Sequence, residues 1–306
     1  MKINTTIYFW VIILIYNQAS AQDYHPLLGD STVWSETITG EGTVTYKFFA
    51  CGDTSIEDRN YKKFYQVYHE TVSLEGFVFE DTILKKIYYL HEPSNEEVLL
   101  YDFSLNVNDT VFTRVPIYNN TGWYIVDSIS KVDIIAGPRS ALYLHNIETS
   151  ETALWIEEVG ARGSFLNPVF DGFPPFDEVL CVLKDGHLIY QSQTSIEYNS
   201  CDLFLGESIL KAPISNLKVF PNPVVNTFDI EFFTHGPQII EIYLLDETGK
   251  VLRKLYSGTS ILGVNSLHYE LPYNIAPGIY LIEFLDHHNG YCLTYRIVKI
   301  RSNEKS

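Results

Sequence analysis

From Thr227 to Ile300 the chain is a succession of short runs with strand-like patterning, each closed by a turn signal. Thr227-Phe-Asp-Ile-Glu-Phe-Phe233 alternates in part, and Gln238-Ile-Ile-Glu-Ile-Tyr-Leu-Leu245 reads as a mostly buried strand. Asp246-Glu-Thr-Gly-Lys250 is a hairpin turn in which Gly249 is free to take a positive φ. Val251 to Tyr256 returns, and Ser266 to Leu271 adds a strand. Ala276-Pro277-Gly278 turns the chain into Ile279 to Leu285, and Asp286-His-His-Asn-Gly290 precedes a closing run from Tyr291 to Ile300. Six or seven strands in about 85 residues predict an immunoglobulin-like β-sandwich. Pro221 and Pro223, on either side of Asn222, lack the ladder donor and cannot lie inside a central strand, so they predict a rigid turn at the entrance.

The preceding region has the same texture. The chain has 22 Tyr and 18 Phe but one Met, and aromatic and β-branched residues fit a pleated, half-buried surface. No long stretch repeats apolar residues at helical spacing, so helix is expected to be a minor component. Candidate strands are Thr43 to Phe49, Lys62 to His69, Gly76 to Phe79, Lys86 to Leu90, Glu97 to Phe103, Tyr124 to Ile129, Ala141 to His145 and Thr152 to Ile156. An all-β antiparallel domain follows, a sandwich or a barrel. The formal charge of -17 is concentrated here: residues 22–212 hold 12 basic and 29 acidic side chains. That excludes nucleic acid and anionic membranes as partners. It suits solubility, and beyond that a divalent cation or a basic partner.

Lys2 and the apolar run Ile7 to Tyr16 have the make-up of a signal peptide, and Ala19-Ser20-Ala21 supplies small residues for cleavage between Ala21 and Gln22. The run is too short to span a bilayer, which needs roughly 20 residues, and no transmembrane segment is expected elsewhere. The expected layout is a signal peptide at 1–21, an acidic domain at 22–205, a linker at 206–216, a C-terminal domain at 217–301 and a disordered tail at 302–306. Export permits disulfides. Cys181 and Cys201 bracket a hairpin-like segment and are expected to pair, while Cys51 and Cys292 lie in different domains and are expected to be free and buried.

Four phrases in the last 90 residues recur together in one family. They are Val219-Phe-Pro-Asn-Pro223, Asp246-Glu-Thr-Gly-Lys250, Pro277-Gly-Ile-Tyr-Leu281 and Tyr295-Arg-Ile-Val-Lys-Ile300. The segment from Leu217 to Arg301 resembles the type A C-terminal sorting domain of the type IX secretion system of Bacteroidetes. The motif residues are Pro221, Asn222, Pro223, Gly249, Lys250, Pro277, Gly278, Tyr280 and Lys299. The resemblance implies export across both membranes, with the type IX machinery and its sortase as partners, and a cargo then released or attached to surface lipopolysaccharide. Family members often end soon after the last Lys-containing strand, whereas this chain adds Ser302-Asn-Glu-Lys-Ser306. In the acidic domain, Trp34, Gly52-Asp-Thr54, Tyr61 to Tyr65, Leu99 to Phe103, Asn108 to Val111, Trp155 to Gly160 and Leu180 to Tyr190 resemble a group of Bacteroidetes secreted proteins of unknown function. The group often has Gly where this chain has Glu158, and Ser where it has Ala161.

Enzymatic signatures are sparse. His69-Glu70 and His91-Glu92 begin like a zinc motif, but Ser73 and Asn95 stand where the second His is needed. There is no Gly-x-Ser-x-Gly elbow, no CxxC and no phosphate-binding Gly loop. Glu157-Glu158 beside Trp155 is the most suggestive acid cluster for glycosidase chemistry, which needs two carboxylates across a cleft. Its structural counterpart is a core Trp with carboxylates capping a turn. Asp53, Glu57 and Asp58 lack EF-hand spacing. Asp171-Gly-Phe-Pro-Pro-Phe-Asp177 is an aromatic loop that either meets a ligand or covers a sheet end, and His287-His288 is a hairpin tip. No motif asks for a cofactor or a metal. The expected cargo is a non-enzymatic binding or adhesion module for a glycan or a protein ligand. The alternative is a hydrolase acting on polysaccharide.

Overall fold

The computed structural model describes residues 24–39, 43–68, 71–92, 94, 96–114, 121–149, 151–169, 176–198, 200–201, 214–272, 274–286 and 291–301. Residues 1–21, read from the sequence as a signal peptide, with Gln22, residues 206–213 of the expected linker, residues 302–306 of the expected tail, residues 171–175, His69-Glu70 and His287-His288 lie outside them.

The N-terminal half opens with β1 (Ser31–Thr39), β2 (Thr43–Ile56), β3 (Arg59–Tyr68), β4 (Thr71–Asp81), β5 (Lys86–His91) and β6 (Glu96–Asp102), an antiparallel meander. The chain then crosses to a second sheet of β7 (Thr110–Arg114), β8 (Thr121–Ile134), β9 (Gly137–Asn146), β10 (Thr152–Ile156) and β11 (Gly160–Ala161). It returns to the first with β12 (Phe176–Lys184) and β13 (His187–Gln191), so the orders are β13-β12-β1-β2-β3-β4-β5-β6 and β11-β10-β9-β8-β7. A short helix, α1 (Gln193–Tyr198), follows. Trp34, Phe64 and Tyr89 of the first sheet and Tyr124, Leu142 and Trp155 of the second belong to one buried core. Two sheets facing each other across one core make this half a sandwich.

That core is fixed by polar atoms as well as by area. The Trp34 indole N–H donates to the Val159 carbonyl at 2.9 Å, and the Trp155 indole donates to the Pro168 carbonyl at 2.6 Å. The buried Tyr101 hydroxyl donates to the Phe165 carbonyl at 2.5 Å and accepts from the Ala161 amide at 3.1 Å. Each buried ring thus satisfies its polar end, as a low-dielectric interior requires.

The C-terminal half has β14 (Ile214–Phe220), β15 (Thr227–Thr234), β16 (Ile239–Asp246), β17 (Val251–Thr259), β18 (Gly263–Glu270), β19 (Gly278–Asp286) and β20 (Tyr291–Lys299). They form one sheet of order β14-β15-β18 and another of order β17-β16-β19-β20. Phe228, Ile230 and Phe232 of β15 meet Ile242, Leu244, Ile282 and Phe284 of the facing sheet in a second core. In β15 burial alternates along the strand, which is the period-2 pattern of a sheet with one face inward. Seven strands split three and four give the immunoglobulin-like sandwich expected from the sequence. Strand β14 begins at Ile214, so the last three residues of the 206–216 linker read from the sequence already belong to a strand, with Ile214 and Ser215 paired. Ile214 lies opposite Thr234 and is buried.

The two halves touch. Val33, Phe49, Cys51, Tyr65 and Val67 project from the outer face of the first sheet into a third buried cluster that also holds Leu285 and Cys292. The central strands β1 to β3 are therefore covered on both faces.

Candidate functional site

The motif phrases of the C-terminal half converge on one end of its sandwich. Pro221, Asn222 and Pro223 form the turn after β14, with cis peptide bonds at both prolines. The Asn222 side chain reaches β20: its Nδ2 donates to the Arg296 carbonyl at 3.0 Å, and its Oδ1 accepts from the Val298 amide at 2.9 Å. Two backbone bonds of 2.8 Å, Val224 N–H to the Val298 carbonyl and Ile300 N–H to the Val224 carbonyl, continue the seam. Lys299 Nζ donates to the Val225 carbonyl at 2.9 Å, and Gly278 is the register partner of Lys299. Tyr280 lies opposite Asp246 and donates its hydroxyl to the Ala276 carbonyl at 2.7 Å, across the turn that contains Pro277. The entrance turn, the late Pro-Gly turn and the last strand are thus one hydrogen-bonded unit, although Asn222 and Val298 stand 76 residues apart in sequence.

The fourth phrase forms the β16–β17 turn. Asp246 Oδ1 accepts from the Thr248 amide at 2.9 Å, the Thr248 hydroxyl at 2.7 Å and the Lys250 amide at 3.0 Å. Slight burial lifts this carboxyl, but those three donors and the Lys250 charge hold it below the ordinary Asp range. Gly249 has φ +82°, and a Cβ there would sit 2.0 Å from the Asp53 carbonyl oxygen of the N-terminal half. The turn therefore also docks, and the Ser55 amide donates to the Thr248 carbonyl at 2.9 Å.

Beside this contact lies a buried ion pair between the halves. Lys63 Nζ stands 3.0 Å from both carboxylate oxygens of Glu283. Burial pushes the Glu283 carboxyl up, and the Lys63 charge and hydrogen bond oppose it. Gly52, at φ +67°, leaves room for this carboxylate, since a Cβ would meet Glu283 Oε2 at 2.0 Å.

In the N-terminal sandwich a cleft of about 810 Å³ opens where the β12–β13 end of one sheet meets the β9–β10 end of the other. The backbone of Arg162 spans this seam: its amide donates to the Leu154 carbonyl at 3.0 Å, and its carbonyl accepts from the Val179 amide at 2.9 Å. Its walls carry the side chains of Asp127, Tyr143, Arg162, Asn167, Glu178 and Gln193, with Asp177 among them. Tyr143 and Arg162 are exposed, so a ring, a guanidinium, amides and carboxylates face the same space. At the back of the cleft, burial and the Glu178 charge push the Tyr190 hydroxyl up to about 12. Concave sites with an aromatic surface and a few convergent polar groups are the usual form of a small-ligand pocket.

The acid cluster picked out from the sequence is elsewhere. Trp155 is fully buried, so it offers no platform to a sugar ring. Glu157 accepts from the His25 amide at 3.1 Å and the Ser140 amide at 3.4 Å. Glu158 sits at φ +70°, with Arg139 at 2.5 Å and Lys184 at 3.0 Å. Burial raises its carboxyl, but the two cations and their hydrogen bonds outweigh that and lower it. A positive φ is the backbone region that Gly adopts without strain, so Glu158 is held in it by its two ion pairs.

Cys181 and Cys201 form a disulfide with a Cα–Cα distance of 5.5 Å, and Cys51 and Cys292 are free and buried. His91 lies at the end of a strand, with its ring 3.1 Å from the Ser94 hydroxyl. Among the described residues no three His, Cys, Asp or Glu side chains gather as a metal site, and no helix is long and apolar enough to cross a membrane. The cleft, the Asn222 docking and the Lys63–Glu283 pair were not singled out from the sequence. Each is built from residues far apart in the chain, with no local spacing to mark it.

No protein-family model matches this chain, and no curated protein does. Among solved structures, dimeric latent PorU from Porphyromonas gingivalis is similar at 14% identity and a TM-score of 0.26, covering 90% of this chain and 30% of that one. PorZ, an essential bacterial surface component of the type IX secretion system of Porphyromonas gingivalis, is similar at 12% identity and a TM-score of 0.20, over 79% of this chain and 29% of that one. MHC-like MILL2 is similar at 9% identity and a TM-score of 0.20, over 87% of this chain and 98% of that one. This chain spans less than a third of the length of the first two, and at these identities and scores none of the three assigns it a family or an activity.

Proposed function

We propose that this chain is a secreted or surface-displayed protein of the type IX route, with its C-terminal sandwich as the sorting signal and its N-terminal sandwich as a binding module. The observation that carries the export half is the motif set itself. Four phrases with the family's order lie behind a signal-peptide pattern, and three of them meet in the Asn222-centred seam. A surface that reads as one assembled patch is what a secretion machine can recognise on a folded domain. On this reading the signal peptide leaves after Ala21, the sortase cuts within the segment before Ile214, and the cargo is released or attached to surface lipopolysaccharide. Mass spectrometry of the reduced protein from medium and cell surface tests it. The expected chain starts at Gln22 and ends before Ile214; a mature chain that keeps the C-terminal sandwich would overturn the sorting role.

The binding half rests on the cleft. An exposed ring beside a guanidinium, amides and carboxylates suits a neutral, hydroxylated ligand, so a glycan is the favoured class. Titrating the full chain with a panel of oligosaccharides should give binding that Tyr143→Ala and Arg162→Ala each weaken by about fivefold or more, as for a lost contact of about 1–3 kcal/mol. Binding unaffected by both variants would move the site elsewhere. A reducing-end assay on the same mixtures reads the hydrolase alternative.

A further inference from the structure

Cys51 and Cys292 are both buried and both free, and they come from opposite halves of the molecule. Cys51 lies on β2 with Phe49, on the face turned away from Phe48 and Ala50. Cys292 is the second residue of β20 and the register partner of Leu285. Both belong to the cluster that joins the two sandwiches. Strand β2, which carries Cys51, packs directly against strand β20, which carries Cys292, so the two side chains share one dry cluster. The frame around them is fixed. Lys63 is the register partner of Cys51 and is ion-paired at 3.0 Å with Glu283 of β19, the strand that carries Leu285. A disulfide between them needs an S–S distance of about 2.05 Å, which two neighbouring side chains of one cluster can reach by turning about their Cα–Cβ bonds. The chain already holds one bridge, Cys181–Cys201, as expected of a protein that matures where thiol–disulfide exchange operates.

We propose that Cys51 and Cys292 are a second disulfide site, one that staples the C-terminal sandwich covalently to the N-terminal one. The oxidant is a disulfide of the extracytoplasmic space, small or protein-borne. One cysteine thiolate attacks it, forming a mixed disulfide and expelling one thiol. The second cysteine, as thiolate, attacks the mixed disulfide at the cysteine sulfur and expels the other thiol. The two cysteines lose two protons and two electrons, and the oxidant becomes two thiols. Burial pushes both thiols up and disfavours the thiolate in the docked molecule, so the exchange takes place while the sandwiches are still closing. The bridge does not depend on what the C-terminal sandwich does in export. It would make any separation of the halves, after a cut in residues 202–213, conditional on reduction.

The test is refolding of the reduced, denatured full chain in reduced and oxidised glutathione, then alkylation and non-reducing peptide mapping. The expected result is a Cys51–Cys292 linked peptide alongside Cys181–Cys201 in most of the chain. With a protease site inserted in 202–213, the cut wild type should run as one species until reduced, and Cys292→Ser as two without reductant. Alkylated Cys51 and Cys292 in chain that has formed Cys181–Cys201 would overturn the proposal, as would pairing of either with another partner. If Cys292→Ser does not fold, the wild-type map alone decides.

Discussion

Glu36 carries a carboxyl where water does not reach. It is 3% exposed, on β1, and accepts from the Ser164 hydroxyl and the Phe165 amide, both at 2.7 Å. Those bonds hold the segment that supplies Gly163 and Asn167 to the cleft. Burial pushes the carboxyl up to about 7, the two donors opposing it and the Asp177 charge adding to it. The folded state therefore binds this proton more tightly than the unfolded chain, whose Glu titrates near 4.3. The stability linked to Glu36 is fully present below about pH 4.3 and is lost as pH rises through about 7. The loss is on the order of 3 kcal/mol. Glu36→Gln keeps an acceptor for Phe165 and carries no charge, so it should flatten this fall and exceed the wild type in stability at pH 8. Urea midpoints between pH 5 and pH 8 check it, and an unchanged slope in the variant would sink the assignment. The slope that remains belongs to Glu80 and Glu283, which burial also lifts, with the same sign.

At the scale of elements, strands rich in apolar, β-branched or aromatic residues were legible, and strands with polar sequences were not. Thr152 to Ile156 was read with the bounds that β10 has, and Lys86 to Leu90 fell within β5, because both carry apolar, β-branched or aromatic residues at strand spacing. Strand β1 escaped because its sequence is polar: Ser31, Thr32, Ser35, Glu36 and Thr37 are all buried in a strand paired on both sides. The first three residues of β14 were read as linker because the polar pair Ser215-Asn216 and the prolines that follow the strand resemble a loop. The turn at Gly249 was legible, but its second role was not, since the Asp53 carbonyl that crowds it is about 200 residues away in sequence. Gly249→Ala should therefore do more than strain a turn. It should push the β16–β17 turn off the N-terminal half and speed hydrogen exchange at the Ser55 amide, which donates to Thr248, whereas full protection there would show that the contact tolerates a methyl group. The neighbouring ion pair gives a second test of the same interface. Lys63→Met leaves Glu283 buried alone and should cost about 3–5 kcal/mol, while Lys63→Met with Glu283→Leu should be neutral or stabilising. Thermal unfolding of the single and double variants checks it, and equal losses in both would mean that the pair supplies net attraction.

For the whole molecule, the C-terminal sandwich covers part of the N-terminal core as well as carrying motifs. Removing residues 214–306 uncovers Val33, Phe49, Tyr65 and Val67 together, a contiguous apolar face of the kind that drives association. A chain ending at residue 213 should unfold at a lower temperature than the full chain and self-associate. A monomer with an unchanged midpoint, seen by sedimentation and calorimetry, would mean that the interface contributes little. This bears on export, because a truncated chain held in the periplasm is explained equally by a lost signal and by a damaged cargo. Asn222→Ala separates the two. Asn222 touches β20 by two hydrogen bonds at the far end of the sequence and does not belong to the cluster that joins the halves. Its loss should cost about 1–3 kcal/mol within the C-terminal sandwich and leave the Lys63–Glu283 contact in place. If the motif-bearing end is what the export machinery reads, this variant should keep the wild-type exchange protection at Ser55 and the same cleft affinity, yet reach the cell surface several-fold less. Surface display at the wild-type level, with Asn222→Ala shown to be folded, would take this end of the sandwich out of the sorting signal.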